Sequence, residues 1–90
     1  MSDKELLIIK KKYNDAINDY IDCKDEIAEA DKTNNAFAIN VAAYHQGYAA
    51  GQINAYGELL GKTVSIIYRD ICDKEEAIWL QDFVSSSSMQ

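Results

Sequence analysis

The sequence predicts an all-α fold: an antiparallel helical hairpin plus a third C-terminal helix with a break-and-restart signal, the bundle being completed by self-association. Three observations carry this. The first segment repeats apolar residues at helical spacing over four heptads. The 29 residues from 33 to 61 hold a single charged side chain, Glu58, and so need cover on nearly all sides. No proline occurs in the 90 residues, and the short alternation Val64, Ile66, Tyr68 has no second strand to pair with. The chain reads as one helical domain over residues 1–84, with helices at about 3–31, 35–60 and 63–84 and a flexible polar tail at 85–90.

Ser2 and Glu5 fit a capping box at the head of the first helix. From there Leu6, Ile9, Tyr13, Ala16, Tyr20, Cys23, Ile27 and Ala30 keep a 3-4-3-4 spacing, and Ile17 and Ile21 widen the stripe. The stretch Asp31-Lys32-Thr33-Asn34-Asn35 is the best break, with Thr33 or Asn34 as the expected cap of the second helix. The apolar phase also runs on through Phe37, Val41, Tyr44 and Tyr48, so one bent helix is the competing arrangement. A chain this small favours the hairpin, because it must fold back to build a core. Gly61 stands where a left-handed terminating glycine belongs. Val64, Ile67, Ile71 and Ile78 then fit a third helix, flanked by Tyr68, Cys72, Trp79 and Phe83. Asp73 and Glu76 repeat the capping-box pattern, which marks a restart near Cys72.

Charge and composition exclude several function classes. A net charge of −6 argues against direct nucleic-acid binding and against an anionic membrane surface, and suits a partner with a basic surface. No run of 18 apolar residues predicts a membrane span, and the first fifteen residues lack the pattern of a signal peptide. Cys23 and Cys72 are too few for a disulfide framework or a zinc site, which fits a reducing cytoplasm. The Gly57–Thr63 stretch, Gly-Glu-Leu-Leu-Gly-Lys-Thr, is one residue short of a phosphate-binding loop, and a helix precedes it where that loop needs a strand. His45 is the lone histidine, and Glu58, the nearest carboxylate along the chain, is more than three turns away. No catalytic residue, metal ligand or cofactor is expected, and the chain reads as a non-enzyme.

Two surfaces stand out instead. Asp15, Asp19, Asp22, Glu26 and Glu29 recur at 4-3-4-3 spacing, forming a carboxylate stripe beside the apolar one. With Trp79 and Phe83 they are the expected partner-binding set, able to occlude a basic macromolecule. In the second helix Ala43, Gly47, Gly51 and Ala55 lie on one ridge, and Tyr44, Tyr48, Gln52 and Tyr56 on the next. Each interior glycine costs about 1 kcal/mol against alanine, so Gly47, Gly51 and Gly57 together weigh against a typical stability of about 5–15 kcal/mol. Close approach of another backbone compensates. The small residues with Tyr44, Tyr48 and Tyr56 are therefore the expected homo-oligomer interface. The alternative is a small-ligand site formed by Tyr44, Tyr48, Gln52 and Asn40.

The segment Phe37–Gly51 resembles part of the hairpin of phage-encoded sponges that sequester cyclic oligonucleotides in anti-CBASS defence. The resemblance lies in Ala38-Ile39, then Gln46-Gly47-Tyr48 and Ala50. The basic and aromatic ligand set of that family has no counterpart here at matching spacing, so no binding residues carry over. What the resemblance implies is the alternative function, an oligomeric sponge for a small nucleotide. In character the chain is also similar to phage inhibitors of host defence and to immunity proteins.

Overall fold

The computed structural model describes residues 1–88, which form three α-helices: α1 Asp3–Lys32, α2 Ala36–Leu59 and α3 Val64–Ser88. No strand occurs among the described residues. Nor is any helix among them long and apolar enough to cross a membrane.

Local hydrogen bonding explains where each helix begins and ends. The Ser2 hydroxyl accepts the Glu5 N–H at 3.2 Å, so the expected cap starts α1. At its end the Asn34 N–H bonds the Asp31 carbonyl and the Asn35 N–H bonds the Ala30 carbonyl, with Asn34 left-handed at φ 55°. This is the Schellman arrangement, with asparagine in the position glycine usually holds. The cap of α2 corrects the expectation: Asn35, not Thr33 or Asn34, accepts the Ala38 N–H at 3.1 Å. Thr33 instead donates its hydroxyl to the Ala30 carbonyl. The chain thus turns between Lys32 and Ala36, and one continuous bent helix is ruled out.

A second Schellman turn ends α2. Gly61 adopts φ 72°, and Gly61 and Lys62 donate their N–H groups to the carbonyls of Glu58 and Gly57. Thr63 Oγ1 then accepts the Ile66 N–H and starts α3. The restart signal at Asp73 is not used, and α3 runs unbroken past Cys72. It also continues through Ser88, so the expected tail is helical from Ser85 to Ser88. Residues 89–90 of that tail lie outside the described residues.

The most extensive packing is between α1 and α2. Tyr13, Ala16, Ile17 and Ile21 of α1 form the core with Ile53 of α2 and Ile67 of α3. Ala42 and Ala49 of α2 and Cys23 and Ala30 of α1 are buried as well. Small residues at a helix contact allow the two backbones to approach closely. The early turns of α1 meet the late turns of α2: a Cβ on Gly57 would stand 3.3 Å from Tyr13 Cε1.

Helix α3 is held more lightly. It packs Ile67, Ile71 and Ile78 on the core and ties to α1 through Tyr13–Asp70 and Lys24–Glu75. The radius of gyration is 15.4 Å, against about 12 Å for a compact chain of this length. The longest extent of the molecule, 45 Å, equals the length of the 30-residue α1 at about 1.5 Å per residue.

Candidate functional site

Helical spacing on α1 and α2 builds one groove out of both surfaces singled out above. Asp19, Asp22 and Glu26 of α1 form one wall, and Tyr44, Tyr48 and Gln52 of α2 form the other. Cys23 and Ala49, both buried, lie between them, and the volume is about 530 Å³. The walls face each other because Cys23 and Ala49 are small: the flanking residues, one turn up or down, rise above a shallow floor.

The carboxylate stripe divides by role. Asp15 pairs with Lys11 at 2.7 Å and Glu29 with Lys32 at 3.4 Å, both on their own helix and exposed. Exposed pairs of this kind contribute only tenths of a kcal/mol. Asp19, Asp22 and Glu26 lie in the groove, and none of them makes an ion pair or hydrogen bond among the described residues. Their field reaches the floor: burial first, then Glu26, Asp19 and Asp22, push the Cys23 thiol above its ordinary range. Cys23 is therefore a thiol rather than a nucleophilic thiolate.

The aromatic side is open. Tyr44 and Tyr48 are 74% and 65% exposed, and His45 tilts against Tyr44 with ring centroids 5.9 Å apart. A cation entering the groove would meet carboxylates on one side and tyrosine faces on the other, both of which attract positive charge. No three His, Cys, Asp or Glu side chains among the described residues converge closely enough to hold a metal ion.

Other expected site residues are placed elsewhere. Trp79 and Phe83 stack on each other at 5.6 Å and 16° on α3, exposed, and are not part of this groove. Asn40 is exposed and outside it. Tyr56 leaves the tyrosine ridge: it is half-buried against the core, 6.0 Å below the Lys12 ammonium. Ala43, Gly47, Gly51 and Ala55 are exposed, and a Cβ on Gly47 or Gly51 would meet nothing within 4 Å. Within one chain, then, those two glycines admit no neighbour.

Sequence reasoning missed two features. Gly57 is the glycine that a neighbour crowds, since its Cβ would stand 2.6 Å from Ile67 Cδ1. Its four-residue spacing from Ile53 and Ala49 places it on the core face and was the available signal. The second feature is a polar cluster joining α1, the α2–α3 turn and α3. Tyr13 Oη donates to Asp70 Oδ2 at 2.7 Å, and Lys62 Nζ donates to the same oxygen at 2.9 Å while standing 5.1 Å over the Tyr13 ring. Partial burial pushes the Asp70 carboxyl up, but the hydrogen bonds from Lys62 and Tyr13 outweigh it and hold the group below its usual range. Burial, and then Asp70, push the Tyr13 phenol far up, so it remains a donor. Tyr13 and Asp70 are 57 residues apart, which no local pattern signals. No protein family, curated protein or solved structure matches the chain.

Proposed function

We propose that the chain is a small non-enzymatic binding protein that captures a basic segment of a macromolecular partner in the α1–α2 groove and occludes it. The observation that supports this best is the opposition of Asp19, Asp22 and Glu26, free of ion pairs, to the exposed rings of Tyr44 and Tyr48. A volume of about 530 Å³ suits one or two lysine or arginine side chains, with the rest of the partner lying over the rim. A three-carboxylate wall repels the phosphates of a cyclic oligonucleotide, so the same tyrosines suit the sponge reading poorly.

The reading includes self-association through the α2 ridge. Phe37, Val41, Tyr44 and Tyr48 are exposed beside Ala43, Gly47 and Gly51, leaving an apolar, nearly uncharged face on a chain of net charge −6. Contiguous exposed apolar patches mark interaction surfaces. In this reading Tyr44 and Tyr48 belong both to the groove wall and to the self-association face, so partner capture and assembly use adjoining faces of α2.

The test compares the parent with a triple variant, Asp19→Lys, Asp22→Lys and Glu26→Lys, immobilised side by side in cell extract. The parent retains basic proteins, identified by mass spectrometry, and the variant binds them at least about tenfold more weakly at unchanged helical circular dichroism. Retention by the parent weakens with added salt. Equal retention by both proteins removes the groove from the function. A melting temperature raised by cyclic nucleotides but unmoved by oligo-arginine transfers the site to the sponge reading.

A further inference from the structure

A second groove, larger and of opposite electrical character, lies where α1, the α2–α3 turn and α3 meet. Its volume is about 900 Å³, within the range of small-molecule sites. Leu6 and Ile17 of α1, Leu60 of the α2–α3 turn and Ile66 and Ala77 of α3 give it an apolar lining. Lys10, Lys62 and Lys74 also line it, so three of the nine basic residues of an acidic chain collect around one cavity.

The ion pairs decide which charges are available there. Lys62 and the Tyr13 phenol are both committed to Asp70 Oδ2, so Asp70 brings no free negative charge into the groove. Lys10 and Lys74 have no ion-pair partner among the described residues. One further carboxylate, Asp73, lines the cavity. Two free ammonium groups against one free carboxylate leave the groove locally positive, while the α1–α2 groove is locally negative. Asn14, on the same wall, adds an amide donor.

An apolar floor beneath two long, flexible ammonium side chains fits a molecule with the converse layout. We propose that this groove binds a small amphipathic anion: a short aliphatic or aromatic body with one carboxylate or comparable anionic head. The body covers Leu6, Ile17, Leu60 and Ile66, and the head reaches Lys10 and Lys74 at the rim. Lysine suits that task, because its stem lies along apolar surface while the ammonium stays at the water boundary. The site stands apart from the acidic groove and does not depend on how that groove is used.

Decanoate below its micelle concentration, titrated into isotopically labelled full-length chain and followed by amide and methyl NMR shifts, tests this. Saturable shifts at Leu6, Ile66 and Ala77 are expected, with decanol weaker and decyltrimethylammonium silent at those positions. The double variant Lys10→Gln, Lys74→Gln keeps the parent's melting curve and raises the decanoate dissociation constant roughly tenfold, as the loss of two charge-assisted contacts implies. Three outcomes overturn the proposal: no saturation, shifts centred on Trp79 and Phe83, or equal binding by all three head groups. A further arm uses phosphatidylglycerol vesicles; capture of vesicles without a response to free decanoate overturns it in favour of a lipid surface.

Discussion

The glycines show how the same residue type serves opposite ends at different positions. Gly57 is buried against Ile67 and Tyr13, and its missing Cβ is what lets α3 close onto α2. Alanine there gains about 1 kcal/mol of helix propensity but forces the buried Ile67 side chain to repack, at about 1–3 kcal/mol. Gly47 has open space around its Cβ position within one chain, and alanine, already present on the same ridge at Ala43 and Ala55, gains the propensity without a clash. Melting curves should therefore rank Gly47→Ala above the parent and Gly57→Ala below it. If both variants melt higher than the parent, the close approach at Gly57 is not a packing constraint. Composition alone does not distinguish these two positions, and only their phase relative to Ile53 separates them.

At the level of elements, what was legible depended on how local the cause was. The 3-4 spacing from Leu6 to Ala30 determined α1, because one regular stripe admits one face. Gly61 was legible as a terminator, since few residues other than glycine adopt φ 72° readily. The turn at 33–35 was legible as a turn but not in detail: Thr33, Asn34 and Asn35 have similar capping propensities, and the Schellman turn that places Asn34 at φ 55° leaves Asn35 as the cap. The length of α3 was misread because serines suggest a tail, while a helix already under way extends at little cost. As for the site, the carboxylate wall and the tyrosine wall were each visible in the sequence, and their meeting across Cys23 and Ala49 was not. The outer ridge of α2 carries its own expectation. Gly51→Leu places a large side chain where the proposed seam needs none; by light scattering the parent exceeds the mass of one 10.1 kDa chain and the variant does not. A parent that scatters as a monomer at micromolar concentration removes the seam, and so does a variant that assembles like the parent.

For the whole molecule, the attachment of α3 is the weakest joint, and acid is the lever on it. The folded Asp70 carboxyl titrates below its unfolded value, so its contribution is present above about pH 4 and is lost as pH falls through the depressed folded value. Below that range the protonated group no longer pairs with Lys62, and α3 keeps its apolar anchors. Between about pH 5 and pH 2 the melting temperature of the parent should fall more steeply than that of Asp70→Asn. Every other carboxylate is common to both proteins, so the difference isolates this one. Parallel curves would show that the cluster does not stabilise the fold.

The two connections of the chain differ in how freely their length can vary. The turn at 33–35 answers only to itself: its hydrogen bonds join residues of the same bend, and a longer loop there still lets α1 and α2 meet. The turn at 60–63 answers to a distant point as well, because the residue after Gly61 is Lys62, whose ammonium must arrive at the oxygen that Tyr13 already holds. An added residue at that place would rotate the lysine away and shift the start of α3 together with it. The spacing of the chain between α2 and α3 is thereby set by a single atom of Asp70, as a keystone sets the span of an arch.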